Sequence, residues 1–140
     1  MKIIPIENVT LLNNFIDFYS DGFITNHISL SANNEYHLIF GELGVVAVGF
    51  IRGWDEGWDY KCLGLIVHSG YRGKGYGSLM LHFLETVARE RGETKLRLHV
   101  QPSNHKARRM YERHFWYPYG RRENGEIIYF KNLCNSGSRV

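Results

Sequence analysis

Residues 60–91, YKCLGLIVHSGYRGKGYGSLMLHFLETVARER, constrain the fold more than any other stretch of the chain. An apolar run of strand length, Cys62 to Val67, leads into a loop carrying Arg72, Gly73, Gly75 and Gly77. Beyond the loop, Leu79, Met80, Phe83, Leu84, Val87 and Ala88 recur at helical spacing. The pattern predicts a strand, a glycine loop and an amphipathic helix, in that order. The glycines leave successive backbone N–H groups uncovered, and the helix start adds unpaired donors and the positive end of its dipole. Such a turn can hold a phosphate or pyrophosphate. Lys74 and Arg72 add positive charge at its rim.

Spacing excludes two of the known phosphate loops. A Walker loop needs a glycine five residues before the Gly-Lys pair and Ser or Thr after the lysine, where His68 and Gly75 stand. The dinucleotide fingerprint needs a third glycine at 78 or 80, where the chain has Ser78 and Met80. The pattern that fits is R-x-x-G-x-G, read as Arg72, Gly75 and Gly77. It resembles the pyrophosphate arm of the GNAT acetyltransferase superfamily. Asn104, Ala107, Tyr111 and Glu112, spaced N-x-x-A-x-x-x-Y-E, are similar to a second pattern of that superfamily and follow the predicted 95–100 strand. The resemblance spans about residues 38–130.

The resemblance implies an α/β (α+β) domain with a mixed sheet of about six to seven strands and about four helices, using acetyl-CoA as co-substrate. It implies that Leu65, Ile66 and Val67 lie along the pantetheine, with N–H groups near Ile66 and Val67 polarising the thioester where neighbouring strands splay. Arg72, Gly73, Lys74, Gly75, Tyr76, Gly77 and Ser78 would take the pyrophosphate, Asn104 and Arg108 would contact the coenzyme arm, and Tyr111 would protonate the sulfur. Asn104 also suits a helix N-cap and Tyr111 a core aromatic. Two departures stand out. The Gly-Phe that usually follows the tyrosine helix is Phe115-Trp116, which predicts a different helix exit. The acid that many members carry eleven residues before the loop arginine is Lys61. A second family pattern puts a glutamate five residues before the asparagine, and His99 stands there. With an ordinary pKa of about 6.5, His99 is the candidate base, beside His37, Glu42, His68 or a water relay.

The remaining stretches fit one domain over residues 1–133 with a disordered tail over 134–140. A strand at 2–6, helical spacing at Leu11, Leu12, Phe15, Ile16 and Tyr19, a short helix or loop over 23–30, and strands at 36–40 and 45–51 precede the glycine loop. A helix over 104–114 and strands near 117–122 and 126–131 follow, the strands joined at Asn124-Gly125, a two-residue hairpin signal. The long helix is expected to end near Gly92. No apolar run reaches membrane-spanning length and the start lacks the plan of a secretion signal, so a cytoplasmic protein is expected.

Two cysteines without a C-x-x-C pair suggest no disulfide framework, and seven histidines without an H-x-x-x-H pair suggest no metal. A formal charge of +3 is too mild to point to nucleic acid, and the basic residues between Lys106 and Arg122 suit a cofactor with several phosphates. The acidic and aromatic tip at Trp54, Asp55 and Asp59 is a candidate contact for a cationic acceptor. The expected function is acetyl-CoA-dependent transfer to a primary amine on a small molecule or peptide, in a monomer or homodimer. The alternative is a non-catalytic acyl-CoA sensor on the same fold.

Overall fold

Alternating apolar residues and glycine turns build one seven-stranded sheet in the computed structural model, which describes residues 2–5, 34–41, 44–53 and 60–133. The strands are β1 (Lys2–Pro5), β2 (Asn34–Gly41), β3 (Gly44–Arg52), β4 (Lys61–Val67), β5 (Lys95–Val100), β6 (Tyr117–Arg121) and β7 (Ile127–Asn132). Their spatial order is β1-β2-β3-β4-β5-β7-β6. Neighbours are antiparallel except β4 and β5, which run parallel because a helix carries the chain back between them. Two α-helices, α1 (Tyr76–Glu90) and α2 (His105–Arg113), are seen among the described residues. The helix at 11–19, the helix or loop at 23–30, the 54–59 tip and the 134–140 tail lie outside them.

Strand alternation gives the sheet two chemically different faces. Ile51, Leu63, Leu96 and Leu98 belong to the face that packs with Met80, Leu81, Leu84 and Ala88 of α1. Gly49 lets the helix approach, since a Cβ there would come within 2.6 Å of Met80 Sδ. Each large side chain buried in this layer contributes roughly 1.5–3 kcal/mol. The opposite face carries Phe50, Arg52, Cys62, Gly64, Arg97 and His99, whose rows are set by the register pairs Phe50↔Gly64, Arg52↔Cys62 and Cys62↔Arg97.

The end of α1 follows the sequence reading. Arg91 is the cap residue, Gly92 takes φ 87, and Glu93 N–H closes on Ala88 O at 3.0 Å. The end of α2 corrects it. Phe115 occupies the glycine position with φ 71, Phe115 N–H reaches Glu112 O at 3.2 Å, and Trp116 N–H reaches Tyr111 O at 3.0 Å. These are the two bonds of a Schellman exit, so the helix ends as a glycine would end it. The exit survives because Trp116 is buried and anchored, while the Phe115 side chain stays 81% exposed. The Asn124-Gly125 turn is also wider than expected. Gly125 N–H bonds Arg122 O at 2.9 Å, Gly125 takes φ 91, and Arg122 N–H bonds Glu126 O at 2.8 Å, which describes a turn followed by a left-handed glycine.

Candidate functional site

β4 and β5 pair at only two rungs, Lys61↔Leu96 and Cys62↔Arg97, and then part. His68 donates its N–H to Val46 O at 2.7 Å, and the β3–β4 register is unbroken. Antiparallel alternation therefore turns the N–H of Ile66 toward β3 and those of Leu65 and Val67 toward the gap. Of the two donors expected at the thioester, Val67 has the required direction and Ile66 does not; Leu65 has it instead. The Val67 carbonyl also faces this side and accepts from Arg72 Nε at 3.0 Å, which holds the guanidinium over the end of β4.

The glycine loop follows directly. Gly73 and Gly75 take φ 78 and 91, where a side chain would be strained, and a Cβ at either would meet nothing within 4 Å. Gly75 is the N-cap of α1, makes no side-chain cap bond, and is followed by a first turn without acidic residues. The orphan N–H groups of that turn therefore open onto the loop. Lys74 Nζ lies 5.7 Å from the Tyr71 ring, whose centroid is 6.0 Å from that of Tyr76.

Gly77 also serves a contact between the helices. A Cβ at 77 would stand 3.0 Å from Met110 Sδ and 3.8 Å from Val67 Cγ2, so its missing side chain serves the contact of α1 with α2. Ser78 Oγ is 3.1 Å from His114 Nε2, a link across the helices that the sequence did not suggest. Asn104 caps α2 by accepting from Ala107 N–H at 3.2 Å. Arg108 donates to Tyr129 Oη at 3.4 Å and to Pro102 O at 3.2 Å, so its guanidinium is held by β7 and by the turn before α2.

A cavity of about 180 Å³ lies at the gap. Leu63, Leu65, Leu98 and Tyr111 line it from the helix face, and Phe50, Arg52, Cys62, Arg97 and His99 from the other, so it passes through the sheet between the parted strands. His99 and Tyr111 are thus brought to one space. Tyr111 is buried, 6% exposed, and both burial and the charge of Cys62 push its hydroxyl pKa well up, so it is protonated throughout the neutral range. Burial also raises the Cys62 thiol, against the charges of Arg97, Arg52 and Arg122.

Sequence reading missed Glu126, a buried carboxylate that lines the same cavity. Burial works to raise its pKa, but hydrogen bonds from Asn124 and Arg122 and the charges of Arg122 and His99 outweigh this and hold it below the ordinary value. Its signal was the Asn-x-Glu after a turn, since Asn124 Oδ1 accepts from Glu126 N–H at 3.0 Å. The other candidate bases lie elsewhere. His37 is 5% exposed and meets Phe83 edge-on at 4.9 Å, His68 Nδ1 accepts from Gly70 N–H at 3.2 Å, and Glu42 is outside the described residues, as are Trp54, Asp55 and Asp59. Lys61 pairs with Glu93 at 4.0 Å.

Among the described residues no group of side chains is arranged to hold a metal ion, and no helix is long and apolar enough to cross a membrane.

A family model described as the acetyltransferase (GNAT) family matches residues 7–115. No curated protein matches the chain. The fold is similar to that of the ribosomal-protein-S18-alanine N-acetyltransferase from Escherichia coli, with a TM-score of 0.77 and 19% identity over 99% of this chain and 97% of that one. It is similar to smu.2055 from Streptococcus mutans UA159, with a TM-score of 0.78 and 16% identity over 96% and 100% of the two chains. The GNAT domain of S. lividans PAT superposes with a TM-score of 0.75 at 18% identity, over 94% and 89%. At these identities the likeness is one of fold.

Proposed function

Because the chain belongs to the GNAT acetyltransferase family, we propose that it moves an acetyl group from acetyl-CoA to a primary amine by direct attack in a ternary complex. The observation that carries this reading is the parting of β4 from β5, which turns the Leu65 and Val67 N–H groups toward a gap where Leu65, Tyr111 and His99 line one cavity. Bound there, acetyl-CoA supplies an activated acyl group on a thiol leaving group. The open loop at Gly73 and Gly75, with the uncapped start of α1, suits its pyrophosphate. The N–H groups of Leu65 and Val67 would hold the arm and stabilise negative charge that develops on the acyl oxygen. Tyr111, kept protonated by burial, would donate to the departing sulfur. His99 would take the proton of the attacking amine, with the Glu126 carboxylate favouring the charged imidazolium that results.

Release of free thiol from acetyl-CoA, measured with and without a panel of primary amines, tests this reading. Amine-dependent release is the expected result. Binding of acetyl-CoA with no amine-dependent release would identify a non-catalytic acyl-CoA sensor, the reading favoured by Lys61 standing where many family members carry an acid.

A further inference from the structure

The cavity has a sign that the sequence did not disclose. Arg52, Cys62 and Arg97 form one lateral row across β3, β4 and β5, on the face away from α1, and all three line the cavity. Arg52 is held in place by stacking, with its guanidinium carbon 4.6 Å from the centroid of the Phe50 ring. That ring lies over Gly64, where a Cβ would come within 2.2 Å of Phe50 Cζ. Among the described residues, Nε and Nη2 of Arg52 and Nε of Arg97 are buried and find no hydrogen-bond partner. A third arginine, Arg122, is already engaged, donating to Glu126 Oε1 at 2.8 Å.

We propose that the acceptor amine carries its own anionic group, a carboxylate or phosphate, which binds between Arg52 and Arg97 while the amine reaches toward His99. The inference rests on the acyl-transfer reading above and names its substrate class. Buried guanidinium N–H groups are costly without an acceptor, and planar oxyanions match their fork geometry. A polycation would meet two fixed positive charges, and Glu126, the carboxylate among the described residues that lines the cavity, is already engaged by Arg122 and Asn124. Size argues the same way, since about 180 Å³ is below the roughly 300–1,000 Å³ of sites for drug-sized ligands.

Matched pairs test the proposal on the full chain: L-phenylalanine against L-phenylalaninamide, and phosphoethanolamine against ethanolamine. The anionic member of at least one pair is expected to have a kcat/KM at least tenfold higher, and the pair that shows it tells carboxylate from phosphate. Arg52→Gln and Arg97→Gln should each raise KM for that member tenfold or more while leaving KM for acetyl-CoA unchanged. Arg52→Lys and Arg97→Lys, which keep the charge, should recover part of the loss, which a mere folding defect would not allow. Preference for the neutral members, or equal effects of the Gln variants on both members, would overturn the proposal. Thermal stabilisation by these compounds separates the two readings. Stabilisation by the anionic member that is lost in Arg97→Gln, without turnover of any amine, would keep the anion site and sink acetyl transfer. Absence of both would sink the anion site as well.

Discussion

Trp116 donates its indole N–H to Glu85 Oε2 at 3.0 Å, tying the residue that leaves α2 to the buried middle of α1. Glu85 is 4% exposed, and its other oxygen accepts from Lys131 on β7. A buried carboxylate in an otherwise apolar helix face is thereby satisfied from two other elements, which fixes how the helices and the far strands meet. Trp116→Phe keeps an aromatic ring but removes the donor and trims the buried indole, so it should cost at least about 1.5–3 kcal/mol, the range for a hydrogen bond to a charged group, with the lost packing added. Urea unfolding measures this, and a loss below about 0.5 kcal/mol would show that Lys131 alone satisfies Glu85.

Gly75 and Gly77 should fail for different reasons. Gly75→Val places a branched residue at φ 91 beside open space, so coenzyme A should lose its stabilising effect while the fold loses only about 1–2 kcal/mol. Gly77→Val drives a side chain into Met110 and should destabilise the apo protein further, by about 1–3 kcal/mol of overpacking, with or without coenzyme. Thermal melts with and without coenzyme A distinguish them, the wild type gaining about 2.7 kcal/mol at a hundredfold excess over Kd. Full coenzyme affinity in Gly75→Val would remove the loop from the pyrophosphate site.

Phe115 sits in a left-handed conformation that costs a residue with a Cβ roughly 1–2 kcal/mol, and its side chain is 81% exposed. Phe115→Gly should therefore raise stability by about 1 kcal/mol, after the greater entropy of unfolded glycine is subtracted. A fall in the urea midpoint would mean that the exposed ring makes contacts outweighing the strain.

Tyr111→Phe removes only a hydroxyl at the cavity, and turnover should fall roughly 10²- to 10⁴-fold with coenzyme binding intact. His99→Ala should abolish the rise of kcat/KM with pH through the histidine range near neutrality. Rates unaffected by Tyr111→Phe would leave the sulfur to solvent, and an unchanged profile in His99→Ala would pass the base role to Glu126 or water.

Glu126 sets an acid limit on stability. Its folded pKa lies below the ordinary carboxylate value, so the ionised form favours the fold. The contribution is fully present above the unfolded pKa of about 4.3 and is lost as pH falls through the lower folded value. Glu126→Gln should narrow the difference in melting temperature between pH 6 and pH 3, with its largest deficit against wild type at the higher pH. Parallel melting curves for the two proteins across that range would rule the group out.

Much of this protein is legible locally, because the signals are local. The glycine spacing at 73, 75 and 77, the 3.6-residue period of α1, the strand alternation at 95–100 and the Asn104 cap each act within a few residues, and the structure places all of them where the pattern does. The resemblance built on Arg72, Gly75, Gly77, Asn104 and Tyr111 leads to the family that the 7–115 match establishes. What the chain could not disclose depends on contacts between distant segments. The direction of the Leu65 and Val67 N–H groups follows from register with β3, and the width of the gap from two rungs shared with β5. Phe115 adopts a glycine's φ because burial of Trp116, bonded to Glu85, outweighs local backbone preference. Arg52, Cys62 and Arg97 are scattered in sequence and become one row only when three strands align, so the positive charge of the cavity was decided by the sheet.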